Sequence, residues 1–154
     1  MLPILFRRKQ ATTSATPTFE NDFSSWLAAN VTQLVFHVHV PKQTITTTEV
    51  IPCCTYKLLT AKRFNTLRGP TGKVQARYQL DTFSYLHDDT VAMNTQLVTV
   101  LHGFRGAMGN TTVSLVNLED SHDGDTPPAN ATDKWTFQRT FDFLICYTEP
   151  VTFY

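Results

Sequence analysis

Residues Gly69 to Ser84, GPTGKVQARYQLDTFS, constrain the fold more than any other stretch of the chain. Val74, Ala76, Tyr78 and Leu80 fall on one side of an extended segment, and Gln75, Arg77, Gln79 and Asp81 on the other. That period of two marks a strand with one buried face. Asp88 and Asp89 announce a helix directly afterwards. Ile51 to Thr60 reads as the antiparallel partner strand, and the segment between, carrying Gly69, Pro70 and Gly72, makes the pair a long hairpin.

The rest of the pattern builds around this hairpin. The small, hydroxyl-rich run ATTSATPT, with Pro17 blocking helix, makes residues 1–18 a flexible arm, and residues 19–154 a single domain. Phe19, Phe23, Trp26 and Leu27 form one helical stripe, with Thr18 placed to cap it. Leu34, Val35, Phe36, Val38 and Val40 follow as a β-rich run ended by Pro41, and Lys42 to Glu49 lack an apolar face and read as loop. In a second helix Val91, Thr95, Val98 and Leu101 make one stripe, with Leu97 and Phe104 beside it and Gly103 or Gly106 as the stop. Thr111 to Leu118 reads as a strand. The last, Lys134 to Thr148, puts Trp135, Phe137, Phe141, Phe143, Ile145 and Tyr147 on one side, interrupted by Arg139. This succession predicts an α+β domain, a mainly antiparallel sheet with two helices packed on one face. Trp26, Leu27, Val98, Leu101, Phe141 and Phe143 are the expected core.

At 154 residues the chain has the size of one compact core. Its formal net charge of zero, with scattered Lys and Arg, argues against nucleic acid as the main partner and against an anionic membrane surface. No apolar run approaches the roughly 18 residues of a spanning helix, and the apolar run of MLPILFRRK precedes its basic cluster, the reverse of a secretory signal. The expectation is a soluble, cytoplasmic chain. Cys53 and Cys54 are adjacent in a strand, so their side chains point to opposite faces; with Cys146 and no C-x-x-C spacing, all three read as free thiols acting as small hydrophobes. The Asn-x-Thr sequons at Asn30, Asn110 and Asn130 carry meaning only in a secreted chain.

Several groupings have residue types that suit chemistry. His37 and His39 share a strand face and suit zinc, but two further ligands at matching spacing are missing, and a polar strand face toward solvent or a neighbouring subunit fits as well. Asp88 and Asp89 fit capping and dipole compensation better than acid–base work. Asp81, Ser84 and His87 have the residue types of a hydrolase triad without its glycine-lined elbow. GPTGK lacks the Walker spacing and a following helix, so it reads as a hairpin turn. The aromatic stripe of the last strand reads as core rather than a base-stacking platform.

The order and spacing of IPCCTYKLL, GPTG, ARYQLDTFS and RTFDFLICYTEP resemble the small tail completion, or tail terminator, proteins of long-tailed bacteriophages, over roughly Phe19 to Pro150. The arm and the 119 to 134 segment are not covered. The resemblance implies a structural virion protein without catalysis or cofactor, assembled in the host cytoplasm. It would form a ring, a hexamer by the family pattern, at the head-proximal end of the tail. Its partners would be other copies of itself, the tail tube protein and the head-tail connector, with DNA only passing through the lumen and no membrane. A head-side connector or stopper, and from a different class a small metal- or ligand-binding enzyme using His37 and His39, stay open as alternatives.

Charge suggests where copies meet. Lys62, Arg63, Arg68, Lys73 and Arg77 occur without an acid among them, whereas Glu119, Asp120, Asp123, Asp125 and Asp133 occur in a late loop without a base. Head-to-tail contact between these patches is expected to close the ring, and solvated loop tips are the competing reading. Both the arm and the acidic loop are expected to gain order on assembly.

Overall fold

In the computed structural model, which describes residues 18–32, 35–37, 53–125 and 136–150, the strand Gly69–Ser84 (β3) is interior to the sheet. It pairs antiparallel with Cys53–Thr66 (β2) on one side and Phe137–Thr148 (β6) on the other. Val35–His37 (β1) lies parallel to β2 at one edge. Thr111–Asp123 (β5) pairs with β6 and carries Gly106–Met108 (β4) at the other edge. The six-stranded order is β1-β2-β3-β6-β5-β4. The helices are Phe19–Asn30 (α1) and His87–Leu101 (α2). The fold is α+β, as the pattern predicts, with one parallel pair in an otherwise antiparallel sheet.

Register explains the core. Val74, Ala76, Tyr78 and Leu80 of β3 stand opposite Tyr147, Ile145, Phe143 and Phe141 of β6, so two period-two stripes merge into one apolar face, and all eight side chains are buried. Both helices cover that face. Phe19 of α1 stacks on Tyr147 with ring centroids 4.0 Å apart and meets Tyr78 edge-on, while Phe23 tilts against Tyr78 at 5.2 Å. Thr18 caps α1, its Oγ1 accepting from the Asn21 amide at 3.4 Å. Trp26 is only half-buried, because it sits at the margin of α1 against Phe104.

α2 is rotated from the expected stripe. Thr90, Met93, Asn94, Leu97 and Leu101 face inward, whereas Val91 and Thr95 are exposed and Val98 is half-buried. A polar contact sets the rotation. The Thr82 hydroxyl on β3 donates to Asn94 Oδ1 at 2.5 Å, and the Thr90 hydroxyl bonds the Leu86 carbonyl at 3.1 Å. A pattern of apolar residues alone cannot register a face whose register is partly polar.

The hairpin is also longer than expected. β2 runs to Thr66 and β3 begins at Gly69, so the connection is the two residues Leu67 and Arg68, and GPTG lies inside the strand. Thr66 holds this tip: its Oγ1 accepts from the Arg68 amide at 3.3 Å and donates to the Gly69 carbonyl at 3.2 Å. Gly69 and Gly72 have φ of 128° and 79°, conformations a side chain disfavours, which lets the strand absorb its irregularities. The short β4 was not expected, and β5 extends to Asp123, so Glu119, Asp120 and Asp123 belong to a strand rather than a loop. The arm, His39, Lys42 to Glu49, Asp133 and Trp135 lie outside the described residues.

Candidate assembly surface

The β2–β3 hairpin outruns its neighbours. β6 ends at Thr148 opposite Lys73, and β1 covers only Cys54 to Tyr56 of β2. Among the described residues no strand pairs with the other edge of the outer half of β2, and Lys57 to Thr60 and Lys62 to Thr66 are exposed. Leu58 and Phe64 are each about 40% exposed, Leu59 nearly as much, and Leu67 at the tip is fully exposed. Register breaks between Leu58 and Thr60 and between Arg63 and Asn65 each place one apolar residue, Leu59 and Phe64, outside the alternation. The Thr71 hydroxyl donates to the Phe64 carbonyl at 2.6 Å and ties the two strands of the hairpin. Contiguous exposed apolar side chains of this kind are uncommon on soluble monomers.

The expected charged residues separate into those paired within the chain and those with no ion pair among the described residues. Arg63 Nε lies 2.7 Å from Glu149 Oε1, a hydrogen bond that holds the guanidinium above its ordinary range. The pair ties the hairpin to the chain just after β6, where the Glu149 amide also donates to the Gly72 carbonyl at 2.7 Å. Arg77 reaches across β6 to Glu119 at 2.7 Å, so one residue from each charge cluster is neutralised within the chain. Lys62, Arg68 and Lys73 make no ion pair among the described residues; Lys62 Nζ stands 5.4 Å over the Phe64 ring.

The acidic residues gather toward the opposite end of the sheet, because Asp123 pairs in register with Arg139 and Ser84 with Phe137, far along the strands from Lys73 and Thr148. Asp123 Oδ1 accepts from Arg139 Nε at 2.7 Å, and that bond lowers its carboxyl below the usual range. Asp125 Oδ1 accepts from the Gln138 amide at 3.1 Å, and Asp120 Oδ1 from the Ser121 amide at 2.8 Å. Asp88 and Asp89 occupy the exposed first turn of α2, where they complement the helix dipole. The cap itself is Leu86, with no side-chain bond, so the capping half of the sequence expectation does not hold.

Beside α2 lies a feature the sequence pattern did not show. A cleft of about 310 Å³ opens between Thr95 and Val98 of α2 and Leu118, Ser121, Arg139 and Phe141 of β5–β6. Asn94 lines it, and its Nδ2, buried within a side chain only 3% exposed, has no hydrogen-bond partner.

The residue groupings that suit chemistry are otherwise engaged. Ser84 Oγ accepts from the Leu86 amide at 3.2 Å, Asp81 accepts from the Thr140 hydroxyl at 2.6 Å, and the His87 ring packs against Phe137. His37 Nε2 lies 3.2 Å from Glu20 Oε1, and no group of three metal-ligating side chains occurs among the described residues. The three cysteines are free; Cys53 and Cys54 are buried on opposite faces, opposite Phe83 and Thr82 respectively. No helix among the described residues is long and apolar enough to cross a membrane.

No protein-family model and no curated protein matches the chain. Among solved structures it is similar to a chain of one described as the virion of a native gene transfer agent (GTA) particle, with 11% identity over 92% of this chain and 91% of that one and a TM-score of 0.46.

Proposed function

We propose that this protein is a structural component of a bacteriophage virion, a tail completion or terminator protein whose copies assemble as a ring, a hexamer in the family pattern, on the head-proximal end of the tail tube. One observation carries the reading. An electrically neutral chain holds bases without an ion pair among the described residues, and exposed apolar residues, on a protruding hairpin at one end of its sheet, and acids at the other. Such a molecule is complementary to itself head to tail, and a heterologous contact closes into a ring when the rotation per step allows. The order of the sequence motifs supports the tail role. In this role the protein acts by stoichiometry. Its ring blocks further tube growth and presents a docking surface to the connector, while DNA passes through the lumen.

Exposed ion pairs contribute about 0–1 kcal/mol each, so charge sets orientation and apolar burial supplies stability. Lys62, Arg68, Lys73, Asp120 and Asp125 are the interface residues with no ion pair among the described residues. The test is tube polymerisation in vitro from purified tail tube protein. Added protein should arrest elongation at a stoichiometric amount and be recovered at one tube end. Tubes that elongate unchanged would overturn the reading, and recovery on DNA-filled heads instead would transfer the protein to the stopper side of the neck.

A further inference from the structure

Three of the four residues in the stripe that the sequence marks as apolar, Val91, Thr95 and Val98, turn outward while Leu101 is buried, and Thr95 and Val98 line a cleft instead of a core. Val91, at 41% exposure, stands one turn before Thr95, and Val98 follows on the same face. Phe141 and Leu118 supply the opposite wall. Beneath that wall the Asn94 Nδ2 donor is buried with no acceptor among the described residues, a costly exception in folded proteins. Asp88 precedes Thr95 by two turns on the same helical row, while Arg139, the charged residue lining the cleft, is held by Asp123 on β5. A cleft of about 310 Å³ is at the small end for a drug-sized ligand, roughly 300–1,000 Å³, and suits one or two apolar side chains.

The matching shape is the hairpin tip. Leu67 is fully exposed on a two-residue turn, Phe64 is close behind it, and the bases beside them, Lys62 and Arg68, lack ion pairs among the described residues. The tip cannot reach its own cleft. β3 has 16 residues, roughly 50 Å of strand, and the tip and the start of α2 lie at its opposite ends.

We propose that the β2–β3 tip of one copy seats in the α2–β5 cleft of the next. Leu67 packs between Val98 and Leu118, and Arg68 faces Asp88. The contact uses different surfaces on the two copies, so it repeats head to tail and builds a ring or filament one rotation at a time. It supplies the apolar burial that charge alone does not. The inference rests on the assembly reading for its occupant, yet the two fail separately.

The test uses the full chain with Cys146, the half-buried free thiol, changed to Ser. Leu67→Cys protein is mixed with Thr95→Cys protein under mild oxidation at concentrations where the parent self-associates, or on completed tails. A disulfide-linked dimer forming in the mixture and in neither variant alone is the expected result. A dimer of Leu67→Cys with itself would mean tip-to-tip contact, and no mixed dimer would mean no docking; either overturns the proposal. Cross-linking of Thr95→Cys only to tail tube protein would overturn it too, by giving the cleft another occupant. Leu67→Ser, in a solvent-exposed side chain, should leave monomer melting unchanged and weaken self-association about tenfold or more. If the parent arrests tube growth while the mixed dimer is absent, the docking is wrong and the tail role stands. If the mixed dimer forms but tube growth is unaffected, the tail role is wrong and the docking stands.

Discussion

Arg77 Nη2 and Glu119 Oε2 meet at 2.7 Å across the full width of β6, joining β3 to β5 on the sheet face away from α1 and α2. Forty-odd residues of chain separate them, and each belongs to a cluster that looks free for a partner molecule when only the sequence is read. Both side chains are partly exposed, which limits the pair to about 0–1 kcal/mol. Glu119→Gln should therefore lower the urea midpoint slightly or not at all, and the exchanged pair Arg77→Glu with Glu119→Arg should return it to the parent value. A loss above about 2 kcal/mol for Glu119→Gln would make the pair a strut of the sheet rather than a surface contact.

Gly109 lies in the β4–β5 turn at φ +59°, and a Cβ there would run into the Asp22 carboxylate of α1. That carboxylate accepts from the Thr111 hydroxyl at 2.6 Å, so the turn and the first helix are tied at one point. Gly109→Ala should cost roughly 1–3 kcal/mol through strain and the displaced carboxylate. The cost should shrink when Asp22→Ala is added, because the obstacle is gone. Additive losses in a double-mutant cycle would show that backbone strain alone is responsible.

Leu101 is fully buried at the end of α2, where both helices meet the sheet. Leu101→Ala should cost roughly 2–5 kcal/mol in denaturant titrations, whereas Val91→Ala, on the outward stripe, should cost well under 1 kcal/mol in the monomer. Equal losses at the two positions would contradict the observed rotation of the helix.

Alkaline pH should unfold the chain in a defined window. Burial pushes the Cys53 thiol from its ordinary 9.0 up to about 11, and burial likewise raises the Cys54 thiol and the phenols of Tyr78 and Tyr147. The native state thus holds these protons more tightly than the unfolded chain does. Their contribution is fully present below about pH 9 and is lost as pH rises through about 11, on the order of 3 kcal/mol for Cys53 alone. Urea midpoints should be level from about pH 7 to 9 and fall beyond it, and Cys53→Ala should flatten part of the fall. A midpoint that rises above pH 9 would reverse the sign and refute the assignment.

Local alternation in the sequence determined a large part of this protein. The period-two runs of β3 and β6, the α1 stripe from Phe19 to Leu27 and the Thr18 cap are specified within a few residues, because large apolar side chains at fixed spacing have one way to leave water together. The α+β class and the placement of both helices on one face follow from those runs. Tertiary structure decided the rest. α2 turned Val91 and Thr95 outward because Thr82, 12 residues before Asn94, hydrogen-bonds that side chain, an interaction invisible to apolar periodicity. The hairpin reached Thr66 because Thr66 and Thr71 supply side-chain bonds that an unbranched reading of Gly and Pro misses. Above all, the charge clusters changed meaning. Arg63 found Glu149, 86 residues away, and Arg77 found Glu119, since only strand order and register fix which side chains stand within a few ångströms. Charge in a sequence is a tally of signs, and folding determines which of them remain free for another molecule.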